Sequence, residues 1–152
     1  VDSQIVNYVF EEGVLNNKVP FLKNPDVFLR EKTYNNSRFD FYYEQNDKKG
    51  FIEIKGVTLE KDNKTMFPDA PTLRGQKHLK ELIHGVNEGY ENYLVFIIQM
   101  ENTESFRPHW ETDPAFAEGI EEAKQKGVKI FAYDTVVLPE NITLNKTISV
   151  KI

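Results

Sequence analysis

Apolar residues at the start of the chain recur at helical spacing: Ile5, Val6, Val9 and Phe10 share one face of VDSQIVNYVFEEGVL. Asp2 and Ser3 can serve as caps, and Gly13 or the Asn16-Asn17 pair marks the stop. A short amphipathic helix is predicted there. After a loop holding Pro20 and Pro25 the pattern changes. DVFLREKTY, SRFDFYYEQ and GFIEIKGVTLE alternate or run with β-branched and aromatic residues, separated by Asn-Asn and by NDKKG, which predicts three antiparallel strands. A polar loop containing FPDAPT leads into LRGQKHLKELIHGVNEG. There Leu79, Leu82, Ile83 and Val86 recur at helical spacing and Gly85 or Gly89 can end the run.

NYLVFIIQM is almost wholly apolar yet short, the signature of a strand covered on both faces, so it belongs at the centre of a sheet. The loop ENTESFRPHWETDP ends in Asp113-Pro114, a good entry to the helix AFAEGIEEAKQKG, and KIFAYDTVVL reads as another strand. NITLNKTISVKI is expected to be an edge strand or hairpin. The order helix, three strands, helix, strand, helix, strand defines an α/β core with a mixed sheet.

At 152 residues with 39% hydrophobic content, the chain is expected to form a single domain over residues 1–152 around one sizeable core. The absence of cysteine excludes disulfides and thiolate metal sites. No apolar run resembles a signal or a membrane span, so a cytoplasmic protein is the simplest expectation and the Asn-x-Ser/Thr triplets carry no weight. A net charge of -5 argues against coating nucleic acid by bulk positive charge, while leaving room for a local basic surface.

The chemistry concentrates in FIEIKG. In an extended chain Glu53 and Lys55 share one face and Ile52 and Ile54 the other. A hairpin centred on Asp47-Lys48 would place Asp40 opposite Lys55, and Glu53 opposite Tyr42 and diagonal to Asp40. Two carboxylates and an ammonium would then converge. Carboxylates on adjacent strands are hard ligands suited to Mg²⁺ or Mn²⁺, and a neighbouring lysine can orient water and offset charge developing on a phosphate. A cross-strand salt bridge on a solvated face is the alternative from these residues alone.

This element order, with Asp40 on the second strand and Glu53-Ile54-Lys55 on the third, resembles the PD-(D/E)xK nuclease superfamily, a restriction-endonuclease-like core of order αβββαβ. Phe39 rather than proline precedes Asp40, as in superfamily members that lack that proline. A longer resemblance spans nearly the whole chain: NYVFEEGVL, SRFDFYYE, FIEIKGVTLE, FPDAPTLRGQKHLKEL and SFRPHWETDPAFAE are similar to the sugar fermentation stimulation protein A family, in the same order. That family generally carries an additional small β-barrel of oligonucleotide-binding type ahead of the equivalent of Val1, and this sequence is expected to lack it.

The resemblance implies DNA as partner, with Asp40 and Glu53 holding Mg²⁺ or Mn²⁺, the Ile54 carbonyl adding a ligand and Lys55 positioning water. A homodimer is compatible with it. Glu12 borders the apolar face of the first helix, whereas Glu11 points away, so Glu12 is the better candidate for a third carboxylate, with a capping or surface role as the alternative. Thr72 can cap the second helix, whose first turns project Arg74, Lys77 and His78 toward a phosphate. Gln99, at the end of the buried strand, can face the site, although a glutamine where a strand meets water is ordinary. Asp69 is read as a turn residue, and Phe106 and Trp110 as packing under their loop. The functional expectation is Mg²⁺-dependent hydrolysis of DNA. The alternatives are a non-catalytic DNA-binding regulator of sugar (maltose) metabolism genes, the role that the family name implies, and an interaction module whose charge cluster serves stability alone.

Overall fold

The computed structural model of the chain describes residues 3–152. The elements run α1 (Ser3–Leu15), β1 (Val27–Tyr34), β2 (Ser37–Gln45), β3 (Lys48–Val57), β4 (Leu59–Lys61), β5 (Lys64–Phe67), α2 (Leu73–Asn87), β6 (Tyr93–Ile98), β7 (Ser105–Pro108), α3 (Pro114–Gln125), β8 (Lys129–Leu138) and β9 (Asn141–Val150). Of the two expected caps of α1, Asp2 lies outside the described residues and Ser3 opens the helix. The strands join in one mixed sheet of order β1-β2-β3-β6-β8-β9-β7-β5-β4.

Side-chain alternation along β6 organises the interior. All six residues are buried, and β6 lies parallel to β3 on one side and to β8 on the other. Leu94, Phe96 and Ile98 pack with Leu79, Leu82, Phe116 and Ile120 of α2 and α3. Tyr93, Val95 and Ile97 pack with Val6, Val9 and Phe10 of α1. One strand thus supplies two apolar layers, each such buried side chain contributing about 2 kcal/mol of transfer free energy. Ile5 departs from its expected place: it is exposed, and the buried stripe of α1 runs through Val6, Val9, Phe10 and Val14.

The hairpin between β2 and β3 turns at Asn46-Asp47, both left-handed at φ 52° and 65°, one residue before the expected centre. Gln45 pairs with Lys48 and Phe41 with Ile52. Asparagine and aspartate tolerate the positive φ that a two-residue hairpin turn requires, and lysine does so less readily. The shift keeps the parity of the expected register and moves it by two residues, and the ladder stops at Phe41–Ile52, so the expected Asp40–Lys55 pair does not form.

Three short strands replace regions expected to be loop or strand continuation. GFIEIKGVTLE breaks after Val57 into β3 and β4, β5 reaches Phe67, and β7 lies inside the loop after β6. The terminal segment is one strand, β9, lying between β8 and β7 instead of at an edge. Among the described residues no helix is long and apolar enough to cross a membrane.

Candidate functional site

The β2–β3 ladder ends at Phe41–Ile52 although both strands run further. Beyond that point side chains take over from backbone pairing. The Asp40 amide donates to Glu53 Oε1 at 3.3 Å, and the Ile54 amide donates to Asp40 Oδ2 at 2.7 Å. In an extended strand the N–H and C=O of one residue point to the same side, so the Ile54 carbonyl faces the same opening. From α1, Asn7 Nδ2 donates to Asp40 Oδ1 at 3.0 Å. The opening belongs to a cleft of about 500 Å³ lined by Asp40, Glu53, Ile54 and Lys55 together with Arg74 and Gln99.

Glu53 and Lys55 lie on the face covered by α2, which excludes the solvated salt bridge: Glu53 is 3% exposed. Its Oε2 lies 3.2 Å from Lys55 Nζ and 2.8 Å from His78 Nδ1, and Nδ1 lies 3.0 Å from Lys55 Nζ. A single hydrogen fits on Nδ1. When it is present the imidazole donates to Glu53, and when it is absent the imidazole accepts from Lys55. Burial pushes the Asp40 carboxyl up, and the adjacent Glu53 charge adds to it, to about 7 against the opposing Ile54 and Asn7 donors. Burial also opposes ionisation of Glu53, but hydrogen bonding from His78 and the Lys55 charge outweigh it and hold Glu53 below the ordinary carboxylate range.

Glu12 is exposed on α1 and does not line the cleft. It sits five residues after Asn7, about 140° around the helix, so α1 presents Asn7 and Gln4 to the cleft instead. Arg74 lines the cleft, while Lys77 lines an adjoining groove and donates to the Asn36 carbonyl at 2.5 Å. His78 is drawn inward to Glu53 rather than out toward a phosphate. Gln99 reaches the cleft, its Nε2 buried and without a hydrogen-bond partner among the described residues. A side chain at Gly56 would come within 2.9 Å of that nitrogen. Phe106 is fully buried and stacks on Phe96 at 4.3 Å between ring centres, while Trp110 is partly exposed.

Sequence reasoning missed Asn7, Arg38 and Glu31. Glu31 lies across from Asp40 in the β1–β2 register, lines the cleft, and has a left-handed backbone at φ 54°, rare for a side chain larger than glycine. The charged run REK on a strand was the available signal for it.

The pairing of carboxylates, lysine and cleft sits on a chain whose residues 4–141 match the family described as SfsA, the sugar fermentation stimulation protein RE domain. The chain is 47% identical over its whole length to a sugar fermentation stimulation protein homolog of Clostridium botulinum (strain Hall), and 48% identical over 95% of its length to one of Clostridium perfringens (strain SM101). The structure of Pyrococcus furiosus SfsA in complex with Ca²⁺ superposes with a TM-score of 0.93 over the full chain at 31% identity. The chain belongs to the sugar fermentation stimulation protein family. It spans 66% of the C. botulinum relative and 66% of the P. furiosus chain.

Proposed function

We propose that this chain is a Mg²⁺- or Mn²⁺-dependent phosphodiesterase acting on DNA, built on a restriction-endonuclease-like PD-(D/E)xK core. The observation that carries this reading is the meeting of Asp40 and Glu53 where the β2–β3 ladder opens, with the Lys55 ammonium 3.2 Å from Glu53. Two carboxylates and one carbonyl are hard oxygen donors, too few to close a coordination shell, which leaves places for water and a phosphate oxygen. Among the described residues no three His, Asp or Glu side chains converge as a closed site would require. The P. furiosus relative was solved in complex with Ca²⁺, itself a hard cation that takes oxygen ligands.

When bound, the divalent ion supplies Lewis acidity toward a phosphoryl oxygen. Asp40, Glu53 and the Ile54 carbonyl would hold it. Asn7 and the Ile54 amide fix the Asp40 carboxylate in place, and His78 fixes Glu53. Lys55 orients the attacking water and offsets negative charge that builds on the phosphate. Arg74 and Lys77 take backbone phosphates, which position the strand without reading its sequence.

Calorimetric titration of Mg²⁺ or Mn²⁺ into the wild type and Glu53→Gln, followed by incubation with single- and double-stranded DNA, tests the proposal. Binding and cleavage lost together in the variant support it; a wild type that binds neither ion defeats it. One observation favours a second reading: Glu53 Oε2 is already engaged by both Lys55 and His78, as in a closed charge cluster. A non-catalytic DNA-binding regulator of sugar (maltose) metabolism genes fits that arrangement and the relatives' name. Salt-dependent DNA binding without cleavage identifies it.

A further inference from the structure

Beside the acidic cleft lies a second groove of about 440 Å³, lined by Asn36, Ser37, Arg38, Arg74, Lys77 and His78. The two hollows differ in kind. The cleft is lined by Glu31, Asp40, Glu53 and Asp69, whereas no described carboxylate lines the groove, which carries two arginines and a lysine. On a chain of net charge -5, three cations without an interleaved acid are a local exception.

We propose that this groove seats a second phosphate of the nucleic-acid strand whose neighbouring phosphate lies at the carboxylates, an inference that rests on the phosphodiesterase reading. Ser37 points to a ligand independently of charge. It is 3% exposed, and its Oγ has no hydrogen-bond partner among the described residues. Buried hydroxyls are nearly always paired, and an unmade bond costs about 1–3 kcal/mol. Ser37 lines the groove, and a phosphate seated there would offer the hydroxyl an acceptor once its side chain rotates outward.

The cations are placed to help. Among the described residues Arg38 makes a 3.8 Å pairing with Glu31 and its side chain is 68% exposed, so its guanidinium is available for two-pronged contact with phosphate. The Lys77 ammonium spends one hydrogen on the Asn36 carbonyl, which ties α2 to the β1–β2 turn and keeps two donors in reserve. Glu81 bonds the Asn36 amide at 3.2 Å from the same helix but does not line the groove. Arg38 and Arg74 line both hollows and so stand between them, where a strand passing from one to the other meets them first.

The test is fluorescence anisotropy of labelled single-stranded and duplex oligodeoxynucleotides in EDTA over a range of salt, with inorganic phosphate titrated in parallel. Arg38→Ala and Lys77→Ala are each expected to weaken binding about tenfold and to lower the log–log salt slope by about 0.7 on single strands and 0.9 on duplex. Ser37→Ala is expected to weaken binding about threefold with no loss of melting temperature, because the hydroxyl has no partner to lose. Lys126→Ala, at the C-terminal cap of α3, serves as the control. Wild-type affinity and slope in the Arg38 and Lys77 variants overturn the proposal, as does a wild type that binds inorganic phosphate but no oligonucleotide, or that binds neither. Mg²⁺-dependent cleavage by the same wild-type sample is read separately. Its absence with DNA binding and the variant effects intact sinks the catalytic reading and leaves the groove standing.

Discussion

Two of the stations at which this fold buries carboxylates do so in opposite ways. Asp113 is 3% exposed and accepts from the Thr72 amide at 2.8 Å, the Phe116 amide at 2.9 Å and Gln76 Nε2 at 3.2 Å. It caps α3 and, through Thr72, anchors the cap of α2, so one charge is spread over donors from two helix starts. Asp40 and Glu53 instead face each other where backbone pairing has stopped, and the proximity of like charges helps push Asp40 up to about 7. Burial is common to both stations. What separates the two is whether donors satisfy the charge locally or leave like charges in conflict, as the proposed cation site requires.

Substitutions can break that contrast. The largest effect is expected from Glu53→Gln: cleavage falls about a thousandfold, equivalent to about 4 kcal/mol of barrier, while the thermal transition moves little. Asp113→Ala should do the reverse. Losing a cap and stranding the Thr72 amide costs about 3 kcal/mol, lowering the melting temperature by about 6–12 °C, with metal affinity per folded molecule unchanged by calorimetry.

A pH series sharpens the difference further. The folded-state value of Asp40 lies above its unfolded value, so its contribution to stability is full below about pH 4 and is lost as pH rises through about 7. Asp40→Asn is therefore expected to unfold at higher denaturant than wild type at pH 8 and to lose that advantage at pH 5. For the same reason the proposed Mg²⁺ would have to displace a proton from Asp40 below about pH 7, so its affinity is expected to rise with pH through that point and a thermal melt with Mg²⁺ is expected to show a larger shift at pH 8 than at pH 5.5. The smallest effect belongs to Glu12→Ala, which is exposed and outside the cleft: metal affinity should stay within about twofold of wild type.

The elements whose periodicity is written locally were legible: the apolar stripes of α1 and α2, the alternation of β2 and β3, and the all-apolar run of β6. The short strands were not. β5 pairs with β7 about forty residues away, and four-residue runs such as KTMF and SFRP carry too little alternation to announce a partner. β9 looked like an edge because its apolar residues are sparse, yet it pairs with β8 over most of its length and with β7 at its end. In the site, placing Asp40, Glu53 and Lys55 on adjoining strands was enough to expect them near one another, and all three line the cleft, although strand alternation breaks at Asp40. The two-residue slip in register came from which of several turn-tolerant residues took the left-handed positions. Contacts made by α1 and α2, Asn7 to Asp40 and His78 to Glu53, depend on how helices dock on the sheet, which no local pattern encodes. Helical angle alone favoured Glu12 for the place that Asn7 holds.

The left-handed backbone at Glu31 has a bearing on how copies of this protein behave in a crowded solution. β1 is one border of the nine-stranded sheet, and β4, only three residues long, is the other. A long regular border strand offers unpaired amides and carbonyls to any sheet it meets and invites fibrous association. Here the left-handed residue falls midway along β1, flanked by Arg30 and Lys32, and the opposite border ends in Glu60 and Lys61. Neither border presents a flat, uncharged template, so a residue that helps to line the cleft also guards the sheet against growing from molecule to molecule.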